Sequence, residues 1–210
     1  MQQWAIGDVH GCIQTLEKLI EHHIGLSHEN EYYFLGDLID RGNHSKEVLD
    51  YVINLQNDGY KVFVIVGNHE YMLLQAYETT KKILNKKWSL HLRQEKNTLQ
   101  FWQERIGQTT LNSFNVNLVT DIPSTYITWL KKLPYYYIVS NAILTHAGLN
   151  CQRTNPLENL SDLLFGENCS YTTQWLGDKF VLHGHHVLTL ENINILINNV
   201  EKYHYICIDN

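Results

Sequence analysis

Along the first third of the chain, apolar positions switch between a strand-like and a helix-like period. Short runs rich in β-branched and aromatic residues at 4–6, 32–35 and 61–66 read as strands. Between them, Ile13, Leu16, Leu19, Ile20 and Ile24 fall on one helical face, with Gly25 as the expected C-cap. Val48, Leu49, Val52, Ile53 and Leu55 mark a second helix ending near Asp58-Gly59, and a third is predicted from about Glu70. This β-α-β-α-β order predicts a largely parallel sheet. Each predicted strand ends in glycine plus a polar residue: Gly7-Asp8, Gly36-Asp37 and Gly67-Asn68. Ligands of open α/β sheets bind outside the carboxyl ends of the strands, so three polar loops are expected to converge on one edge.

Residues 75–133 break the alternation. They are helical and polar, and carry Lys81-Lys82, Lys86-Lys87, Trp88, Trp102 and Trp129. We read them as a helical insertion or cap beside the site, within a single domain spanning 1–210. The lysines are expected on a solvated helix face. Strands return at 135–140, 142–145, 180–182, 193–197 and 203–208, with the tyrosines at 135–137 expected to pack. Two groups of strands separated by helices suggest two sheets packed face to face with helices outside.

Composition narrows the class. The chain has 210 residues, 44% apolar and 18% charged, which is enough for a full core without staples. Sixteen Lys plus Arg against 22 Asp plus Glu leave a net charge of −6, which disfavours a nucleic-acid-binding protein. Four scattered cysteines without C-x-x-C read as reduced thiols, and the start lacks a signal-peptide pattern. No apolar run reaches the ~20 residues of a membrane span. A cytoplasmic protein is expected.

Histidine is abundant, with 12 residues, and the chemistry gathers around five strand-end clusters. These are Gly7-Asp8-Val9-His10-Gly11, Gly36-Asp37-Leu38-Ile39-Asp40-Arg41-Gly42, Gly67-Asn68-His69-Glu70, His146-Ala147-Gly148 and Gly184-His185. Imidazole plus carboxylate without thiolate suits divalent Mn, Fe, Zn or Co. Asp8 and His10 can turn toward one ion, Asp37 can bridge two, and Asn68 offers an amide oxygen. His183 and His185 share a strand face by period 2, and His186 follows them. His22, His23, His28, His44, His91 and His204 read as surface residues. Competing chemistries lack their residues: there is no Cys-x5-Arg, no D-x-D at Asp8, no second histidine for H-E-x-x-H after His69, and no P-loop.

In order and spacing, G-D-x-H-G, G-D-x-x-D-R-G and G-N-H-E resemble the PPP-type (calcineurin-like) metallophosphoesterases. That group holds protein serine/threonine phosphatases, their bacterial and phage relatives, and symmetrical diadenosine tetraphosphatases. The resemblance is close from 4 to about 75, looser at 138–149 and 180–186, and unusable at 76–133. It implies a four-layer α/β/β/α sandwich of two mixed sheets flanked by helices. It assigns Asp8, His10 and Asp37 to one metal, and Asp37, Asn68, His146 and His185 to a second. Of the histidines near the last motif, His185 follows Gly184 as the family requires. Arg41 would bind the substrate phosphate, with Asn68 beside it. His69 would protonate the leaving oxygen, held by Asp40. Glu70 itself reads as a helix N-terminal residue, or as one standing behind a ligand, rather than as a ligand. Water activated between two ions, most simply Mn, would attack in line with no covalent phosphoenzyme.

Relatives often carry arginine where Val66 stands and a second phosphate-binding arginine in a W-x-R stretch. The counterpart here, Leu164-Phe165-Gly166-Glu167, has none, which leaves Arg153 as the candidate. The expected function is phosphomonoester hydrolysis, first as a serine/threonine protein phosphatase of broad specificity including phosphotyrosine. Symmetrical diadenosine tetraphosphate hydrolysis is the alternative, and a catalytically inactive protein-binding scaffold is the alternative from another class. The partners implied are a phosphorylated protein or a small phosphoester.

Overall fold

The computed structural model describes residues 1–85 and 102–210. Lys86, Lys87, Trp88 and His91 lie outside the described residues. Strands β1 (Gln3–Ile6), β2 (Glu31–Phe34) and β3 (Lys61–Val64) form a parallel sheet in that order. The register pairs Ile6 with Phe34 and Phe34 with Val64, so all three strands stop at one edge. Helix α1 (Ile13–Lys18) widens into a π-type turn through Ile24 and stops at Gly25, whose φ of 80° only glycine adopts without strain. Helices α2 (Ser45–Asn57) and α3 (Asn68–Leu84) complete the predicted alternation. Their apolar stripes, among them Val48, Leu49, Val52, Leu73 and Ala76, pack with Ile13, Leu16 and Ile20 against Phe34 and Val64.

Part of the expected cap joins that same core. Helices α4 (Gln108–Ser113) and α5 (Ser124–Leu130) add Leu111, Ile127 and Leu130 to the cluster, with Trp102 fully buried among them. Trp129 reaches α2, where its indole N–H donates to Gln56 Oε1 at 2.9 Å. Lys81 and Lys82 are exposed, as the solvated-face expectation requires.

The second sheet contains β4 (Tyr136–Ile138), β5 (Ala142–Thr145), β6 (Phe180–His183) and β7 (Tyr205–Cys207) in that order. Its first pair is antiparallel and the other two are parallel, so this sheet is mixed whereas the first is parallel throughout. Tyr33, Leu35 and Ile65 face Ala142 and Leu144 between the sheets. There Tyr33 stacks on Phe63 at 4.9 Å, and Tyr137 meets both rings edge-on. Helices α6 (Leu160–Phe165) and α7 (Thr173–Leu176) cover the other face, through Leu163 and Leu176 against Ile143 and Val181. The layers are therefore helix, sheet, sheet and helix.

One predicted strand is a helix. Residues 193–197 lie inside α8 (Leu190–Asn198). Ile193, Ile195 and Ile197 alternate as in a strand, but the buried pair is Ile193 and Leu196, three apart, while Ile195 and Ile197 are 43% and 49% exposed. Thr189 Oγ1 accepts from the Asn192 amide at 3.2 Å and caps the helix start, a signal stronger than the short alternation. A short helix α9 (Val200–Tyr203) follows, so the last strand begins at Tyr205 rather than 203.

Candidate metal centre

The loops after β1, β2, β3, β5 and β6 meet at the carboxyl edges of the two sheets and are laced together by backbone. The Val9 and His10 amides donate to Asp37 O, Gly11 N donates to Leu38 O, and Gly184 N donates to His146 O. His10, Asp37, Asp40, Arg41 and His185 all take positive φ, from 46° to 69°. Such left-handed residues cost about 1–3 kcal/mol each and persist where the surroundings over-determine them. Five from the expected site adopt this conformation, which marks the loops as built for side-chain placement rather than for chain economy.

Glycine makes the crowding possible. A Cβ on Gly67 would lie 2.1 Å from Asp37 Oδ1 and 2.4 Å from its backbone nitrogen. Gly67 has an ordinary φ of −90°, so the requirement is purely steric. Gly67→Ala is expected to keep the fold, at an overpacking cost of about 1–3 kcal/mol. By displacing Asp37 it should lower turnover about 100-fold, the scale of a 1 Å misplacement. Unchanged turnover in a folded, steady-state-assayed variant would refute this steric role.

Asp37 is the centre of the arrangement and is fully buried. Its Oδ2 lies 3.5 Å from His10 Nε2 and 3.8 Å from His69 Nε2, and its Oδ1 lies 3.5 Å from His146 Nε2. Two donor groups thus share it, His10–Asp37–His69 and Asp37–His146–His185. Asp8 closes the first side, its Oδ2 3.4 Å from His10 Nε2. Asn68 joins the second side, its Oδ1 2.9 Å from His146 Nε2. His185 Nδ1 lies 3.1 Å from the same His146 nitrogen.

These donors fit divalent cations on their own chemistry. His10 Nδ1 bonds the Ile39 carbonyl at 2.9 Å and His146 Nδ1 the Leu35 carbonyl at 2.8 Å, so both rings carry hydrogen on Nδ1. Each therefore turns a bare Nε2 inward, and that of His10 is buried without a partner. The Asn68 amide oxygen faces only acceptors: Asp37, His146 and His185. Turned over, the Asn68 amide would donate to these same atoms; with its oxygen inward, the converging lone pairs suit a cation between them. Burial pushes the Asp37 carboxyl well above its usual range, and Glu70 and Asp8 push it further. Burial also raises Asp8, but hydrogen bonding to His10, the charge of His146 and a bond to Asp209 outweigh it and bring Asp8 to about 2. The Ile39 bond leaves His10 Nε2 bare beside this carboxylate, a pair of acceptors that suits a cation. Burial holds His146 down at about 3, and burial with the neighbouring His186 holds His185 at about 4, so both rings are neutral at neutral pH.

His69 differs from the other histidines. Its Nδ1 lies 2.8 Å from Asp40 Oδ2, so its Nε2 is the atom presented to the centre. Arg41 is exposed at the rim and makes no hydrogen bond or ion pair among the described residues. Glu70 stands in the first turn of α3 and ties the loops together. Its Oε2 accepts from the amides of Asp37 and Gly67, and its Oε1 from those of Leu38 and Ile39, at 2.8–3.2 Å.

Two candidates lie elsewhere. Arg153 is committed to an ion pair with buried Asp162, through both Nε and Nη2. His183 does not share a face with His185, because the chain leaves β6 at His183 and His185 turns over at φ 69°. His183 instead packs buried beside Tyr171 and Tyr205, 3.3 Å from the Tyr171 hydroxyl. His22, His23, His28 and His44 are exposed, and His204 is half-buried.

Other site neighbours carried no assigned role in the sequence. Asp209 Oδ1 accepts from the Asp8 amide at 3.1 Å, and burial next to Asp8 pushes its carboxyl up to about 7. Its only sequence signal is a carboxylate at a strand end. Ser45, five residues on at the start of α2, and Trp102 and Thr110, 62 and 70 residues away, surround Asp40; the two distant ones leave no local signal in the sequence.

A two-sheet sandwich whose strand-end loops gather a carboxylate-centred set of histidines defines a metallophosphoesterase-type protein. The chain belongs to the calcineurin-like phosphoesterase family, whose model matches residues 1–205. It is 31% identical over 151 residues to the symmetrical bis(5'-nucleosyl)-tetraphosphatase of Buchnera aphidicola subsp. Baizongia pistaciae, covering 71% of this chain and 44% of that relative. It is 39% identical over 83 residues to the protein of the same name from Actinobacillus succinogenes, covering 40% and 29%. The chain thus spans less than half the length of these relatives. Among solved structures, one assigned as a diadenosine tetraphosphatase matches with a TM-score of 0.58 at 21% identity, over 98% of this chain and 81% of that one. The cold-active protein-tyrosine phosphatase of a psychrophilic Shewanella matches with a TM-score of 0.57 at 16% identity, over 99% and 72%. At these identities the structural matches speak for the fold alone. No described helix is long and apolar enough to cross a membrane, and all four cysteines are free thiols.

Proposed function

We propose that this chain is a two-cation phosphoesterase whose substrate is a dinucleoside tetraphosphate, cleaved symmetrically to two nucleoside diphosphates. The chemistry rests on one observation, the sharing of buried Asp37 between two groups of inward-facing donors. The substrate rests on the nucleosyl-tetraphosphatase relatives. The motifs alone put phosphoserine, phosphothreonine and phosphotyrosine first; these relatives move the nucleotide ahead of them. A metal-free scaffold is disfavoured because all six expected donors are present and face one another.

Asp8, His10 and Asp37 would hold one cation, and Asp37, Asn68, His146 and His185 the other. Bound there, Mn or another divalent ion supplies Lewis-acid charge and an acidified water. The carbonyls of Ile39 and Leu35 fix the tautomers of His10 and His146, so each offers Nε2 without reorganisation. Arg41, exposed at the rim, offers a planar fork to a substrate phosphate. His69 holds a proton at Nε2 for the leaving oxygen, while Asp40 keeps its Nδ1–H oriented.

The test is steady-state hydrolysis of diadenosine tetraphosphate and of a phosphothreonine peptide, with Mn²⁺ and with chelator. Metal-dependent release of two ADP with little peptide turnover is expected. Peptide turnover without nucleotide cleavage would overturn the substrate, and no activity on either with bound metal would overturn the enzyme reading. Arg41→Ala is expected to raise the KM about 10–100-fold with metal content unchanged, the worth of a charge-assisted hydrogen bond of about 1.5–3 kcal/mol. An unchanged KM would remove Arg41 from phosphate binding.

A further inference from the structure

Asp40 is fully buried, and every polar atom it carries is occupied. Oδ2 accepts from His69 Nδ1 at 2.8 Å and from the Trp102 indole N–H at 3.0 Å. Oδ1 accepts from the Thr110 hydroxyl, and the Asp40 amide donates to Ser45 Oγ and Thr110 Oγ1, each at 3.0 Å. Trp102 and Thr110 lie 62 and 70 residues away in the chain, in the segment outside the motifs. The indole is also seated on purpose: a Cβ on Gly107 would lie 2.4 Å from its ring. An indole buried for packing alone needs any acceptor; this one meets the carboxylate that orients His69.

We propose that Trp102 and Thr110 are positioning residues for proton donation, clamping Asp40 so that His69 presents Nε2 in one fixed direction. The inference rests on the phosphoesterase reading and deepens it. Without the clamp, Asp40 keeps only the His69 contact on Oδ2 and can swing, taking the ring with it. The loss then falls on the proton-transfer step, not on phosphate binding and not on metal affinity. Substrates with poor leaving groups need that proton most.

The experiment compares p-nitrophenyl phosphate, a good leaving group, with phenyl phosphate, a poor one, on the Mn²⁺-loaded protein. Trp102→Phe and Thr110→Val remove one donor each while keeping most of the volume. Each is expected to lower kcat on phenyl phosphate about 10–100-fold, the usual range for residues that orient a site group. On p-nitrophenyl phosphate the expected loss is under about threefold, with KM and metal stoichiometry unchanged on both. In a His69→Asn background, Trp102→Phe should add nothing, because the clamp acts only through the ring. An equal loss on both substrates, no loss on either, or additivity with His69→Asn would overturn the proposal. Should Trp102→Phe fail to fold, Thr110→Val carries the same test.

A second readout needs no turnover. In the metal-free protein, the His69 Nδ1–H resonance, assigned by its absence in His69→Asn, is expected to exchange with water at least about tenfold faster in Trp102→Phe and Thr110→Val. Unchanged exchange would refute the clamp. Absence of metal-dependent turnover in the wild type would sink the phosphoesterase reading alone, leaving exchange to decide the clamp.

Discussion

Asp37→Ala is expected to leave the protein with at most one divalent ion per chain and to cut turnover by at least about 10³-fold. The carboxylate is fully buried and its two oxygens face different sides, Oδ2 toward His10 and Oδ1 toward His146, both at 3.5 Å. Removing it deprives both donor groups of their shared anion. A metal centre stabilises developing phosphoryl charge by several kcal/mol, and each 1.36 kcal/mol is tenfold in rate. Asp37→Asn separates charge from shape, because an amide oxygen can still accept from the His69 amide as Oδ1 does at 3.0 Å. It should keep the fold and lose the metal nearly as fully. Elemental analysis together with kcat reads both variants. Two bound ions and full turnover in Asp37→Ala would eliminate the bridging role and the two-cation site with it.

The second large effect is on stability. Glu70 accepts four backbone N–H bonds, from Asp37, Leu38, Ile39 and Gly67. Burial raises its pKa, partly countered by His69 and by the Gly67 and Asp37 amides. Glu70→Ala strands those donors in a dry interior, where each unsatisfied group costs about 1–3 kcal/mol. Four together reach about 4 kcal/mol or more, a large fraction of the 5–15 kcal/mol that typically holds a domain folded. The melting temperature of the metal-free protein should fall by roughly 8–16 °C or more. Glu70→Gln should fall between, since one acceptor becomes a donor facing donors. Melts followed by circular dichroism decide it; a loss under about 1 kcal/mol in Glu70→Ala would mean that water or a rearranged loop satisfies those amides.

Range of interaction separates the features legible in the chain from those that are not. The β-α-β-α-β start was readable because each element announces itself locally: apolar runs for β1 to β3, stripes for α1 to α3, Gly25 as a cap. The loop residues were readable for a different reason, since Asp8, Asp37 and Asn68 each follow a glycine at a strand end. Where local pattern was short, it misled. Ile193, Ile195 and Ile197 alternate, yet the core accepts only Ile193 and Leu196, and Thr189 caps the helix that presents them. His183 and His185 read as equivalent by period 2, but with His185 at φ 69° the first packs beside Tyr171 and Tyr205 and the second meets His146.

By itself, then, the sequence determined the fold class and which polar clusters stand at the strand ends, because strand periodicity and glycine-flanked polar residues are encoded within a few neighbours. Only the tertiary structure decided that Arg153 is held by Asp162 and that Arg41 is exposed at the rim, without a hydrogen bond or ion pair among the described residues. Only the tertiary structure set Trp102 and Thr110 around Asp40. A hydrogen bond between residues 62 or 70 positions apart leaves no local trace, because its partners are chosen by how whole helices pack.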